Sequence, residues 1–294
     1  MSYRIFSPFD VGRWALDVQR SKISSHLVHS LLLTVFFFLV GASDIKAEPL
    51  KTGVPDPDIL RIIFSGNEVL HYEISWSGGI KIGDLSLQIR EDENGDHAIH
   101  ARVIDYGVFK FFYPVDDVFV TYVRGDGKLP YRYEVLQREG RGSATRRLTL
   151  YDQQALHVQY KKNEEAVLNF TLDGQVHNEF SSFYATRAIE LVPENSFIVP
   201  TFADDKRNEV KVQVKGTEEI DSVLGRVNTT LVMPIMKFKG LYDKDGDTVI
   251  WFTDDTCRVP VKINSKILIG SLTATLVNYS NSACERYSGN RSEE

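Results

Sequence analysis

Apolar and polar residues alternate with a period of two through most of the chain after residue 66, and this pattern constrains the fold more than any other feature. In the segment 68–76, polar residues alternate with Leu70, Tyr72, Ile74 and Trp76. Successive side chains of a strand point to opposite faces, so the pattern indicates strands with one buried and one wet face. Similar runs occur at 131–136, 148–151, 156–160, 210–214, 227–233 and 259–263.

Turn dipeptides separate many of these runs. Pairs of Asn-Gly or Asp-Gly begin at Asn94, Asp126, Asp173 and Asp245. Such pairs favour the tight turns of β-hairpins because both residues tolerate positive φ. The sequence therefore predicts a mostly β protein with about a dozen or more antiparallel strands.

One segment, residues 178–191, has helical spacing instead. Its apolar residues are Phe180, Phe183, Tyr184, Ala188 and Leu191. Asn178 is suited to cap the start of a helix, and Pro193 is suited to end it. The apolar stripe needs a partner, and the sheet is the partner available. We therefore expect a large curved antiparallel sheet, an open or half barrel, packed around one amphipathic helix.

The N-terminus has the pattern of a secretory signal peptide. Basic residues precede the apolar run 31–40, and small residues follow it at 41–43. We expect cleavage after residue 42, with residue 47 as the alternative. The apolar run is shorter than the roughly 20 residues of a membrane-spanning helix, so an uncleaved anchor is the less favoured alternative. This predicts export to the periplasm of a Gram-negative bacterium.

The remaining chain divides into a linker or leader at 43–65, a single β domain at 66–280 and a polar C-terminal tail at 281–294. The whole chain has a formal net charge of −6, and without the first 42 residues the charge is about −8. Nucleic-acid binding needs clustered cations, so this balance argues against such a partner. Two cysteines, Cys257 and Cys284, leave open either a disulfide or two thiols.

Several short strings occur in a fixed order along the chain. They are Gly66-Asn67-Glu68 with Tyr72 and Trp76, Phe112-Tyr113 with Val115-Asp116, Ser181-x-x-Tyr184-x-x-Arg187, and Trp251-Phe252-Thr253-Asp254-Asp255 with Val259-Pro260-Val261 and Gly270. Together they resemble the bacterial domain-of-unknown-function family 3108, DUF3108, from about Ser65 to Tyr279. The resemblance implies an exported single β domain and supplies no reaction. Asn178 stands where it implies an aspartate, which weakens any acid chemistry at that helix start.

Catalytic patterns are weak in this sequence. Asp254 and Asp255, with Glu68, are the candidates for a hydrolase of envelope polymers, which needs two cooperating carboxylates. Neighbouring residues of a strand face opposite sides, so capping of a turn by the aspartates is the simpler interpretation. The histidines lack the spacing of a metal site. The sequence does not decide whether the protein is an enzyme, and the balance of patterns is against it. No cofactor or metal is expected.

Two other features suit binding. The segment 109–113 carries four aromatic residues, and a basic hairpin follows it at 138–147. We expect apolar ligand contacts at Tyr72, Trp76, Phe109, Phe111, Phe112, Tyr113, Phe183 and Tyr184. We expect anion contacts at Arg138, Arg141, Arg146 and Arg147, because the arginine fork suits phosphate and carboxylate groups.

These features favour a non-catalytic binding or carrier module for an apolar or lipid-like envelope ligand, held in a cavity between helix and sheet. The alternative is an assembly or scaffold protein that binds an envelope protein through an edge strand or the aromatic segment. A hydrolase is the third and least favoured hypothesis.

Overall fold

The computed structural model describes residues 49–287, apart from 78, 93, 108–109, 112, 204, 237–247 and 267–269. Several sequence predictions fall outside the described residues: the signal peptide 1–42 with both cleavage sites, Phe109, Phe112, the Asp245-Gly246 turn and the end of the tail at 288–294. Within the described part, the prediction of a mostly β fold is confirmed.

Fourteen antiparallel strands form one sheet. They are β1 Val69–Trp76, β2 Ile80–Glu91, β3 His97–Asp105, β4 Asp116–Arg124, β5 Leu129–Gln137, β6 Thr145–Asp152, β7 His157–Lys162, β8 Leu168–Thr171, β9 Ser196–Ala203, β10 Lys206–Ser222, β11 Gly225–Met236, β12 Thr248–Thr253, β13 Pro260–Lys266 and β14 Ser271–Ser280.

The sheet consists of two meanders joined in its middle. Strands β1 to β8 follow one another in space as in sequence and form the first wing, while β9 to β14 form the second. The wings meet where β1 pairs with β14, for example Ile74 with Ala274. The sheet stays open, because β8 and β9 are its two edges and do not pair.

The β9 edge is covered by two short segments of the same chain. The N–H of Gly53 donates to the carbonyl of Ile198 over 2.9 Å, and the N–H of Ile198 donates to Lys51 over 2.9 Å. Farther along, His177 donates to Pro200 over 2.9 Å and accepts from Phe202 over 2.8 Å. We call residues 51–53 the edge strap.

In the described part of the chain two α-helices, α1 and α2, pack against the sheet, rather than the one amphipathic helix expected. Helix α2, Glu179–Ala188, has the predicted cap, in which Asn178 accepts from the Ser181 N–H. Helix α1, Pro57–Ser65, begins after the cap Asp56. The sequence indicates only a short helical turn at 58–64 within the predicted leader, whereas α1 buries three apolar side chains in the core: Leu60, Ile63 and Phe64.

The start of the segment predicted as a polar tail, 281–294, also packs against the core. Asn281 is 4% exposed and Cys284 is fully buried. The Asn281 side chain donates to the carbonyl of Ile62 over 3.0 Å, and a short 3-10 helix follows at Glu285–Tyr287. The main core draws on both wings and both helices, so the described residues pack as one unit.

Candidate functional site

A buried ion pair connects α2 to the residue before β1. The guanidinium of Arg187 donates to both carboxylate oxygens of Glu68, over 2.7 and 2.8 Å, and both side chains are fully buried. Arg187 also donates to the carbonyls of Arg258 and Cys257. Burial lowers the pKa of Arg187, but Glu68 outweighs this and raises the pKa, so the guanidinium stays charged. The pair fixes α2 in the core, and both carboxylate oxygens of Glu68 are occupied by Arg187.

Tyr72 and Tyr184 lie in the packed core rather than around a ligand cavity. They are 0% and 1% exposed, and the Tyr72 hydroxyl donates to the carbonyl of Pro260 over 2.7 Å. Phe183 packs its ring against Tyr184 and Phe252. The cavity expected between helix and sheet is filled by side chains at these three predicted positions, because α2 sits directly on the sheet. Their ligand-binding role stays a prediction that the packing does not favour.

Trp76 stands apart from this group, at the far end of β1. It is half-buried and is paired with Ile80 on one side and Leu272 on the other. It therefore does not converge with the buried tyrosines on one site.

Asp254 and Asp255, the aspartate pair of the hydrolase hypothesis, lie in the turn between β12 and β13. One oxygen of Asp255 accepts from the backbone N–H groups of Cys257 and Arg258, over 2.9 and 3.2 Å, and the other accepts from the Tyr287 hydroxyl over 2.6 Å. The side chain of Asp254 accepts no hydrogen bond from a backbone N–H of this turn, and the residue is exposed. The turn presents the carbonyls that Arg187 binds, so Asp255 supports the buried ion pair.

Cys257 and Cys284 are joined by a disulfide, with 5.7 Å between their Cα atoms. The bond ties the turn after β12 to the C-terminal segment. Many of the strings that carry the family resemblance meet around this region, including Glu68, Arg187 and Asp255. Their arrangement is architectural, because they hold the helix, the turn and the sheet together.

The aromatic segment and the basic hairpin, which the sequence treats separately, lie side by side. Arg141 donates to the carbonyl of Phe111 over 3.4 Å, and the Tyr113 hydroxyl donates to Glu139 over 3.4 Å. A Cβ on Gly140 would lie 2.9 Å from the Tyr113 ring, so glycine permits this contact. Phe111 is 71% exposed at the end of the sheet.

The other predicted arginines diverge. Arg138 pairs with Asp116 at 3.9 Å, and Arg147 turns toward the core side, where it donates to Gln137 over 2.8 Å. Arg146, its neighbour in the strand, lies on the opposite face and is exposed. The four arginines therefore do not form one anion site.

A groove of about 380 Å³ lies on the face of β4 to β7 that faces away from the core. Its lining combines the apolar residues Val118, Val120, Leu136 and Leu148 with the cations Arg132, Arg146 and Lys161, together with Glu134 and Asn163. Val135 and Arg147, whose side chains turn to the core side, border it as well. Arg132 pairs with Glu134. No carboxylate of the described residues forms an ion pair with Arg146 or Lys161. An apolar floor beside two such cations suits an amphipathic anion.

Sequence reasoning found Arg146 and Arg147 but missed the rest of this groove. A signal was present in β4, where Val118-Phe-Val-Thr-Tyr-Val123 is apolar on both faces. A strand with one wet face should alternate, so apolar residues on both sides indicate a second covered or ligand-binding surface.

A smaller cavity of about 190 Å³ lies between α2, β9 and the edge strap, and His177 lines it. Nδ1 of His177 is 3.2 Å from Oγ of Ser181, which also accepts from the N–H of Asn178 over 2.9 Å. Burial lowers the pKa of His177 to about 4, so the ring is neutral at pH 7. Ser181 is 2% exposed and caps α2, so the contact organises the helix start rather than a nucleophile.

The described residues show neither a membrane-spanning helix nor a metal cluster. None of their helices has the length and apolar character needed to span a membrane. No three side chains of the metal-ligating kind converge among them.

Two solved structures are similar to this chain to different degrees. A β-barrel-like protein of DUF1849 from Brucella abortus matches 74% of this chain and 99% of its own, at 10% identity and a TM-score of 0.53. The hypothetical protein CT021 from Chlamydia trachomatis matches 81% of this chain and 97% of its own, at 8% identity and a TM-score of 0.34. No curated protein matches the sequence.

The first of these structures supports the β-barrel-like fold and says nothing about activity. A family described as "Protein of unknown function (DUF3108)" matches residues 71–277, which is most of the chain and nearly all of the sheet. The chain therefore belongs to the DUF3108 family.

Proposed function

We propose that this protein is an exported, non-catalytic binding module of the bacterial envelope that holds a lipid-like amphipathic anion in the groove on β4 to β7. One observation carries the proposal: Arg146 and Lys161 have no carboxylate partner among the described residues and stand beside an apolar floor. The floor binds the apolar part of the ligand, and the two cations bind its anionic group.

The size and chemistry of the groove fit a single acyl chain with a small headgroup. Its volume of about 380 Å³ lies within the range of ligand pockets, roughly 300 to 1,000 Å³. Each buried methylene contributes about 0.8 kcal/mol. Charge-assisted hydrogen bonds from arginine to a phosphate or carboxylate fix the orientation of the ligand.

Two observations support export. The N-terminal sequence has the order of a secretory signal peptide. The Cys257–Cys284 disulfide suits an oxidising compartment such as the periplasm.

The test is native mass spectrometry of the chain from residue 48, titrated with lysophosphatidylglycerol and, separately, with zwitterionic lysophosphatidylcholine. The double variant R146Q/K161Q should bind the anionic lipid about thirtyfold more weakly, because each of the two lost contacts costs on the order of 1 kcal/mol. Leu148→Ser should weaken both lipids. The matched control is Arg226→Gln, an exposed arginine of β11 that lies outside the groove.

Equal affinity of the wild-type protein and R146Q/K161Q for the anionic lipid would overturn the proposal. So would an equal loss in Arg226→Gln, because the effect would then be one of net charge. A thermal melt of each variant separates loss of binding from loss of folding.

A protein partner at a sheet edge is the alternative role. The β9 edge already pairs with the edge strap and with His177. The β8 edge is only four residues long. Strand addition gains affinity from a row of main-chain hydrogen bonds, so neither edge favours this role over ligand binding.

A further inference from the structure

One end of the first wing forms a continuous row of loops. The connections after β1, β3, β5 and β7 all lie at this end, because the strands are antiparallel. Hydrogen bonds join neighbouring loops: Tyr106 donates to Ile82, Gly140 donates to Pro114, and Asn163 donates to Arg146. We call the described residues of 76–81, 105–116, 137–147 and 161–168 the loop rim.

The loop rim exposes large apolar side chains at its tips. Phe111 is 71% exposed, Ile80 54%, Val167 48% and Leu168 44%. Single exposed apolar residues are common on protein surfaces and need no explanation. Here four of them lie in or directly beside three of the four loops at one end of the wing, and grouped exposed apolar residues mark interaction surfaces.

The charge of the loop rim is opposite to that of the protein. Its segments hold eight lysine and arginine residues against five acidic ones, a net charge of +3, whereas the chain from residue 43 carries about −8. Exposed cations lie directly beside the apolar tips: Lys110 next to Phe111, and Arg141 within hydrogen-bond distance of the Phe111 carbonyl.

We infer that the loop rim docks on an anionic phospholipid bilayer. Apolar tips with flanking cations are the composition of protein segments that lie at the membrane interface, where the tips enter the headgroup region and the cations contact phosphates. The four apolar residues are distributed over three separate loops, which suits a soft surface better than a packed protein interface.

This inference goes beyond the proposed function, because the tips are not part of the groove. The two surfaces are nevertheless adjacent. Arg146, Lys161 and Asn163 lie in the loop rim and also line the groove. Docking would therefore bring the groove next to the lipids that are its proposed ligands.

Vesicle co-sedimentation tests the inference with the chain from residue 48. One set of vesicles contains phosphatidylglycerol and phosphatidylcholine, and the other contains phosphatidylcholine alone. We expect about tenfold stronger binding to the anionic vesicles, and a loss of about tenfold in the variant I80S/F111S. The matched control is Val223→Ser, an apolar residue 47% exposed at the β10–β11 turn, which lies at the opposite end of the sheet.

Three results would overturn the inference: no binding to anionic vesicles, equal binding to both kinds of vesicle, or an equal loss in Val223→Ser. The experiment also separates this inference from the proposed function. I80S/F111S should keep its affinity for monomeric lysophosphatidylglycerol, since neither residue lines the groove. Both substitutions are at exposed positions, and an unchanged melting temperature confirms the fold.

Discussion

The ion pair of Glu68 and Arg187 is the most demanding interaction at the scale of single residues. A fully buried charge is costly in itself, and it is tolerated only when the partner and nearby hydrogen bonds are in place. The two residues are 119 positions apart, so sequence reasoning had no means to pair them. It identified each in a family string, but assigned Glu68 to a hydrolase hypothesis.

Arg187→Met should lower the free energy of unfolding by about 3 to 5 kcal/mol, because it leaves the Glu68 carboxylate buried without a partner. The double variant E68Q/R187M should recover part of this loss, since the uncompensated charge is gone. Urea denaturation measures both. Arg226→Met, at an exposed arginine, should change stability by less than about 0.5 kcal/mol. A single variant as stable as this control would show that the pair contributes little.

His177 should make the protein less stable in acid. Its pKa falls from 6.5 to about 4 on folding, because burial disfavours the charged ring. Below pH 6.5 the unfolded chain therefore binds a proton that the folded protein does not, and stability falls as the pH falls toward 4. The full effect is about 3 kcal/mol.

Urea denaturation between pH 7 and pH 4, for the wild type and for His177→Gln, tests this expectation. The variant should lose less stability over that range. The pH dependence of the variant must be compared with that of the wild type. Burial raises the pKa values of Asp117 and Glu179, which makes stability rise as the pH falls and so opposes the effect of His177. Parallel curves for the two proteins would rule out a role for His177.

At the scale of secondary structure, local patterns were sufficient for most elements. Alternation predicted the strands, and Asn178 with its apolar stripe predicted α2. Asp126-Gly127 lies in a turn between paired strands as expected, whereas Asp173-Gly174 follows β8 and leads toward α2. The sequence indicates only a short helical turn at 58–64, because the burial of α1 depends on contacts with distant elements such as the ring of Tyr184 against Phe64.

The edge strap gives a prediction at this scale. A Cβ on Gly53 would lie 2.5 Å from a methyl carbon of Ile189 and 2.8 Å from the Phe197 ring. Gly53→Val should therefore displace the strap and leave the β9 edge unpaired around Ile198, which favours association between molecules. Light scattering and limited proteolysis near residue 50 should both increase.

Gly142→Val is the matched control for this change. A Cβ at Gly142 meets no atom within 4 Å, so the substitution should leave proteolysis and scattering as in the wild type. Unchanged behaviour of Gly53→Val would show that the strap adapts to the larger residue.

At the scale of the whole molecule, strand order is what the sequence could not supply. Alternation states which face of a strand is buried but not which strand lies next to it, so the pairing of β1 with β14 had to come from the structure. The same limit applies to the groove, because its residues come from four strands and from the face that was assumed to be wet.

The two wings should unfold together, because the main core includes residues of both wings and of both helices. Trp76 reports on β1 in the first wing and Trp251 on β12 in the second. In the chain from residue 48, the variants W76F and W251F each keep one of these probes, since Trp14 is absent. Their fluorescence midpoints in urea should coincide. Midpoints that differ beyond the change in stability caused by each substitution would indicate wings that unfold separately.

The joining of β1 to β14 also sets an order of events during synthesis. Strands β1 to β8 can pair with their neighbours as they emerge, but the partner for the other side of β1 is the last strand of the chain. Until residue 271 has been made, β1 keeps an unpaired edge with Leu70, Tyr72 and Ile74 incompletely covered. During most of its synthesis the nascent protein therefore carries an unpaired strand edge near its N-terminus. A chain released by a ribosome that stalls late lacks β14 and is prone to aggregation.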